Sequence, residues 1–391
     1  MPNSPAPTQT LQGIEVPSAN VDAAEFFKAT RRQKILQDTR NIAGPGLTDT
    51  ISVLASGIIS GFLLKFSGSL VVTLNSGTCA STPRWPYDLP KAVRFSANGQ
   101  SNLINCSGSK LKARQIMGRG SLTDRGVARG IGGASPGTSV SQGTMSLNNE
   151  SWGVGSNVTA IPGGNYDVEL TWYIPVAYDD KFLAGAIFAQ TSATALEIAI
   201  DWDTIADMFT LTGAATAVLT GTLYTTSEQY TIPTAGNGGV IVPDLSTFHA
   251  LTQFRYPSLG TGPNEIRLSG QGVGKQLLRT FVQIWNNGAP LPRNATNFGQ
   301  CAWLYGGNTQ PETYQDGKVQ AYWNEETFDA DLGSVWGFGV HDFVKENAFR
   351  DSVDEGAATE LRLLETIGSG VSLSGAYAEV VQEFQAIGAA A

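Results

Sequence analysis

The chain has 391 residues, a formal net charge of −9, 15% charged residues, 45 Gly, 18 Pro and only 3 Cys. That length buries an ample core without disulfide or metal staples, and the acidic balance excludes general electrostatic attraction to nucleic acid or anionic lipid. Short runs of Val, Ile, Thr, Phe, Tyr and Trp, broken by Gly, Asn, Asp and Pro, point to an all-β sandwich class with long loops.

Residues 1–19 are polar and Pro-rich and read as an arm, and MPNSPAPTQT lacks the basic and apolar regions of a signal peptide. Asn20 is placed to cap a helix from Val21 to about Asn41, with Asp22 and Glu25 in its first turn and Arg31, Arg32, Lys34 and Arg40 later. Gly44-Pro45-Gly46 ends it, and Phe26, Phe27, Ile35 and Leu36 give it an apolar face. Residues 51–74 approach the length of a membrane span, but Lys65 and several Ser and Gly interrupt them. Ile58, Ser60, Phe62, Leu64 and Phe66 alternate with their neighbours, which predicts strands at 58–66 and 69–74 instead.

Further strands of a first β-domain are expected at 91–96, 168–176, 196–202, 216–224 and 238–242. Between them, 118–165 is too rich in Gly, Ser, Thr and Asn to form a core and reads as a long loop. Pro175 ends the strand at 168–176, and Asp179-Asp180 would cap a short helix over Lys181–Phe188. After Leu245 the pattern restarts, with strands expected at 264–269, 276–285, 317–323, 335–341, 359–365 and 371–380. Trp336, Phe338 and Val340 alternate as Trp172, Ile174 and Val176 do, and Asp342 follows as Asp179 does. A short helical run, Phe343–Arg350 beside Lys181–Phe188, trails each. Two copies of one β-domain therefore divide the chain into an arm and helix (1–45), a first sandwich (46–244) and a second (245–391).

Five stretches carry a resemblance: SGIISGFLLKF (56–66), TWYIPVAYDDKFLAGAIFAQ (171–190), VPDLSTFHAL (242–251), KQLLRTFVQIWNNG (275–288) and NTQPETY (308–314). In this order they resemble the major capsid proteins of tectiviruses, tailless phages with a membrane inside an icosahedral shell, whereas 97–165 matches poorly. The resemblance implies a double jelly roll, as in adenovirus hexon: two tandem eight-stranded sandwiches with a short N-terminal helix and short inter-strand helices. It also implies a homotrimeric, pseudo-hexagonal capsomer in a virion, around an internal membrane and a double-stranded DNA genome. Neighbouring capsomers, penton proteins and minor capsid proteins would be its partners. The N-terminal helix would lie at the foot of the subunit, so Lys28, Arg31, Arg32 and Lys34 are the candidate membrane- or floor-facing residues. Packing of that helix beneath the β-domains is the other reading.

Little in the sequence suggests chemistry. His249 and His341 are the only histidines, and Cys79, Cys106 and Cys301 lie far apart without CxxC spacing, so no catalytic, metal or cofactor site is expected. The lone thiols suit a reducing cytoplasm during folding. Asp201 with Asp203, and Glu325-Glu326 with Asp329, are the carboxylate groupings to test for glycosidase work. No phosphate-binding glycine motif is present, and the basic run GRGSLTDRGVARGIGG has no aromatic to stack a base, so no sequence-specific nucleic-acid binding is expected. Basic residues gather in 91–130 and acidic ones in 325–355; these regions either meet between subunits or are solvated loop faces. The competing class is a phage spike or carbohydrate- or receptor-binding β-protein, for which eight Trp and eleven Tyr would supply stacking faces.

Overall fold

The computed structural model describes residues 9–11, 14–16, 23–42, 46–97, 100–119, 124–125, 144–145, 161, 163–180, 182–189, 195–234, 240–243, 245–268, 275–305, 309–334, 336–344, 352–354 and 360–387. Eight strands come first: β1 (Arg32–Ile42), β2 (Thr48–Val53), β3 (Ile58–Leu74), β4 (Pro90–Ala97), β5 (Gln100–Cys106), β6 (Gly164–Pro175), β7 (Leu196–Trp202) and β8 (Ala215–Tyr230). Eight more follow: β9 (Thr247–Pro257), β10 (Gly262–Arg267), β11 (Lys275–Asn286), β12 (Phe298–Tyr305), β13 (Thr309–Tyr314), β14 (Phe338–Asp342), β15 (Leu361–Ile367) and β16 (Tyr377–Ile387). Helix α1 (Ala23–Ala29) precedes β1, α2 (Gly108–Arg119) follows β5, and α3 (Gly317–Phe328) follows β13.

The first sandwich faces the sheet β1-β8-β3-β6 against β2-β7-β4-β5, and the second faces β9-β16-β11-β14 against β10-β15-β12-β13. Adding eight to each strand number of the first order yields the second, so one topology is used twice. The sandwiches share a layer. Strand β5 lies parallel to β9, with Ile104 opposite Leu251 and Asn105 opposite Thr252, which fuses β2-β7-β4-β5 and β9-β16-β11 into one sheet.

Period-two burial builds the first core. Phe62, Leu64 and Phe66 of β3 and Leu170, Trp172 and Ile174 of β6 point inward with Val93 and Phe95 of β4 and Ile198, Ile200 and Trp202 of β7. Phe62 meets Phe95 at 5.4 Å and Phe66 meets Trp202 at 6.5 Å between ring centres, across the sandwich. The same apolar cluster continues onto the outer face of the second sandwich through Trp336, Phe338, Val340 and Phe281.

The structure corrects several expectations. The helix expected over 21–41 stops at Ala29, and residues 32–42 form strand β1, because β8 offers them a continuous ladder from Tyr230–Arg32 to Gly221–Ile42. That places the first sandwich's first strand inside the stretch expected to be only arm and helix. The two strands expected at 58–66 and 69–74 are one, since Gly68 sits opposite Gly221 and the Phe66 ring lies across both. Among the described residues, no helix lies between β6 and β7. Asp179 instead accepts the Phe182 amide in a turn (2.6 Å), and Ile187–Phe188 pairs with β3. The strand expected at 317–323 is helix α3, started by the Asp316 side chain accepting from the Val319 amide at 2.9 Å. Of the strand expected at 238–242, residues 240–242 are described and Val240 makes one bridge to Thr234, while 238 and 239 lie outside the described residues. Most of the glycine-rich 118–165 stretch and the run 345–350 lie outside the described residues.

The two tryptophan units occupy equivalent places in the topology but opposite faces. Trp172 points into the first sandwich, whereas Phe338 and Val340 share a face with Gln283 and Phe281, outside the second. A Cβ at Gly221 would press on the Phe66 ring and the Ser67 carbonyl. The Gly221→Ala variant is therefore expected to lose roughly 1–3 kcal/mol, read as a lowered midpoint in denaturant unfolding, while Trp172→Ala loses about 3–5 kcal/mol.

Candidate functional site

Helix α2 buries every residue from Gly108 to Met117, including Lys110, Lys112 and Arg114. Charges are seldom buried to this extent, and an uncompensated one costs several kcal/mol, so their partners determine what the helix does. Asp88 accepts the Ser109 amide at 3.0 Å and sets the start of α2. Lys112 Nζ donates to the Thr171 carbonyl and hydroxyl at 3.1 and 3.2 Å, pinning the helix along β6.

The remaining cations reach into the second sandwich. Lys110 Nζ pairs with Glu379 and donates to Gln283 Oε1 at 2.6 Å. Arg114 Nε donates to Glu383 Oε1 at 2.6 Å, and its Nη2 donates to the Tyr178 carbonyl at 3.0 Å. Glu383 also meets His249 Nε2 at 2.8 Å and Arg279 Nη1 at 3.4 Å, while Arg279 Nη2 donates to Asp342 at 2.9 Å. His249 Nδ1 faces the Pro175 carbonyl at 2.8 Å, so this histidine of β9 is tied to the end of β6. Burial alone would push the Glu383 carboxyl up; the charges of Arg114 and Arg279 and the His249 hydrogen bond outweigh it and hold the group well below the usual carboxylate range.

A second cluster lies where β8 meets β1 in the first sandwich. Glu228 of β8 accepts from Arg119 Nη2 (2.7 Å), Arg32 Nη2 (2.9 Å) and Tyr173 Oη (3.1 Å), with Lys34 at 3.5 Å. Burial opposes its ionisation, but the hydrogen bonds and charges of Arg119 and Arg32 lower it to about 2. Of the four expected floor-facing residues, Arg32 and Lys34 thus belong to β1 and pair with Glu228, whereas Lys28 and Arg31 are exposed. Phe26 of α1 is fully buried and packs 6.1 Å from the Tyr230 ring, so the helix docks against the end of β8 in the first sandwich. Within the second sandwich, Arg293 pairs with Glu365 through two contacts (2.6 and 3.2 Å) and donates to Gln320 of α3 at 2.9 Å.

A cavity of about 520 Å3 opens between the ends of α2 and α3, lined among others by Gln115, Arg119, Tyr178, Asp180, Glu326 and Asp342. Its charges are mixed, and Arg114, Arg119, Asp180, Arg279 and Asp342 among them are engaged in ion pairs. The carboxylate groupings fare likewise. Asp201 takes Arg94 and Thr48, each at 2.8 Å; Asp203 accepts the Thr204 amide and is pushed up to about 6 by burial and its bond to Asp207. Glu325 and Glu326 lie on α3 with Asp329 as its C-cap, not in a loop. No group of His, Cys, Asp and Glu among the described residues could hold a metal ion, and no described helix is long and apolar enough to cross a membrane.

The sequence reading missed α2 altogether: its basic residues were assigned to subunit contacts or solvated loops, whereas they pair internally across the two sandwiches. Charge on both sides of the apolar Leu111, Ala113 and Ile116 concealed the helix; a Ser107-x-Ser109 start was the available signal. Arg114→Met leaves Glu383 short of its nearest cation, and a loss of about 3–5 kcal/mol in unfolding free energy is expected. Glu383 and Glu228 titrate lower in the folded chain than in the unfolded one, so their stabilisation is complete above the unfolded value. It is lost as pH falls. The thermal midpoint should therefore drop between about pH 5 and pH 2, and Glu228→Gln should flatten that drop.

No protein-family model matches the chain and no curated protein is similar to it in sequence. Solved structures are similar. A chain from the atomic structure of Sulfolobus Turreted Icosahedral Virus superposes with a TM-score of 0.63 at 13% identity, covering 92% of this chain and 91% of its own. The STIV MCP gives 0.61 at 12% identity over 92% and 97%, and the major capsid protein of bacteriophage PM2 gives 0.50 at 13% over 92% and 98%. With its strand order repeated across two fused sandwiches and this likeness over nearly the full length, the chain has the double jelly-roll fold.

Proposed function

We propose that the chain is the major capsid subunit of a tailless icosahedral virus, assembling as a homotrimer whose six sandwiches form one pseudo-hexagonal capsomer. The observation that carries this reading is the fused pair of identical sandwich topologies, likened over at least 91% of their length to chains from two viral shells. A subunit containing two near-equivalent blocks needs three copies to fill a hexagonal place, and a closed ring of three is a standard cyclic symmetry.

The role is geometric rather than catalytic. Cations and carboxylates that could have served chemistry are consumed in internal pairs, and Trp85, Trp172, Trp202, Trp285, Trp303 and Trp336 are core rather than sugar platforms. The virion shell is its location, with neighbouring capsomers, penton and minor proteins as partners and a membrane and double-stranded DNA beneath. Exposed Lys28 and Arg31, beside the docked α1, would face that floor and its lipid headgroups. Cys79, Cys106 and Cys301 are free and buried, which suits folding in the host cytoplasm.

Light scattering of the purified chain should return about three times 41.3 kDa, unchanged on dilution; a stable monomer would count against the capsomer. Removal of residues 1–22 spares α1 and β1 and should leave that mass intact while shell assembly fails. Removal of 1–40 would also strip most of β1 from the sheet.

A further inference from the structure

The junction between the sandwiches holds an amine, a carboxamide and a carboxylate in mutual contact and out of water. Lys110 of α2 is fully buried, Gln283 of β11 is 1% exposed and Glu379 of β16 is 7% exposed. Lys110 Nζ donates to Gln283 Oε1 at 2.6 Å and touches Glu379 Oε2. Gln283 and Glu379 lie directly opposite each other in the β11–β16 ladder, which brings their side chains together on one face. Buried aromatic residues wall the group in: Lys110 Nζ stands 5.5 Å from the ring centre of Trp285 and 5.6 Å from that of Phe338.

We propose that Lys110 and Gln283 join in an intramolecular isopeptide bond, formed by the chain itself with Glu379 as the proton carrier. The step balances without a co-reactant. The Lys110 ammonium passes one proton to Glu379, and the freed Nζ lone pair attacks Gln283 Cδ. The displaced electron pair moves onto Oε1, to which Trp285 Nε1 already donates at 3.0 Å, as a donor to a developing oxyanion must. Glu379 then gives its proton to Nε2 and takes the surplus proton from Nζ. The Cδ–Nε2 bond breaks, ammonia leaves and carries the last proton off as ammonium, and Glu379 is a carboxylate again. Arg84 Nη2, 3.6 Å from the other oxygen of Glu379, holds that carboxylate in place throughout.

Three features of the site favour this reaction. First, the carboxamide is fixed in one orientation: Nε2 donates to the Trp336 carbonyl at 2.7 Å, while Oε1 receives Lys110 Nζ and Trp285 Nε1. Nucleophile, electrophile and proton carrier are thus held together before any reaction, which removes the entropic part of the barrier. Second, the product replaces a buried ammonium by a neutral amide and leaves Glu379 beside Arg84, so the desolvation cost of the amine charge disappears. Third, Lys110 is the one α2 cation that combines an amine with a carboxamide neighbour. Arg114 is a guanidinium, and Lys112 reaches the Thr171 carbonyl and hydroxyl instead. The bond would tie α2 to β11 covalently across the junction between the sandwiches. It is independent of how many copies of the chain assemble.

Intact-mass spectrometry of the purified, denatured full-length chain should show a loss of one ammonia relative to its sequence. Tryptic digestion should release a branched peptide in which residues 95–112, uncut after Lys110, are joined to residues 280–293. Lys110→Arg and Glu379→Gln each keep a hydrogen-bonding group in place but remove the nucleophile or the proton carrier. Both variants should have full mass and run more slowly on a denaturing gel than the internally linked chain, with far-ultraviolet circular dichroism to show that they fold. The mass of the unsubstituted chain is decisive even where a variant fails to fold. A folded chain of full mass that yields no branched peptide overturns the proposal. Loss of water in place of ammonia, which would put the bond on Glu379, also overturns it, as does a Glu379→Gln variant that links as fully as the unsubstituted chain.

Discussion

Everything in this molecule depends on the burial of the α2 cations between two sandwiches. Lys110 and Arg114 are buried, and the carboxylates of Glu379 and Glu383 on the facing sheet compensate them, together with Gln283 and the Tyr178 carbonyl. A buried ion pair is a weak source of net stability beside an apolar contact of equal size, but breaking one half of it is costly. Its consequence here is therefore specificity. The two sandwiches have one docking in which every charge is matched, and the shared sheet through β5 and β9 holds them in that register.

Rigidity follows from this arrangement. An apolar cluster runs from the first sandwich through Trp172, Tyr87 and Trp336 into the outer face of the second, with the Tyr87 and Trp336 rings stacked at 5.8 Å. Tyr87 also accepts the Trp172 indole N–H on its carbonyl at 3.1 Å. Polar and apolar contacts thus cross the junction together, and hinge motion between the sandwiches would break both.

Much of this architecture was legible in the sequence. The strands at 168–176 and 196–202 declared themselves by alternation because each has one face in the core, and the Trp336 unit marked the second sandwich. Legibility failed where tertiary pairing overrode local pattern. Arg32–Ile42 is charged and half-exposed because it is an edge strand, and nothing in its own residues outweighs a helical reading until β8 is beside it. Helix α2 failed for the opposite reason: its lysines and arginine looked solvated because their carboxylate partners lie about 270 positions away in β16. The helix α3 was missed although Asp316 announces its start, since Val319 and Tyr322 also suit a strand. The carboxylate groupings, chosen for adjacency, proved to be separate partners of separate neighbours.

The most direct test of the central claim is a cryo-electron microscopy reconstruction of the purified oligomer at a resolution that separates β-sheets. The account predicts a ring of six sandwich lobes built from three chains. A dyad-symmetric dimer, or a lone chain with two lobes, would contradict it.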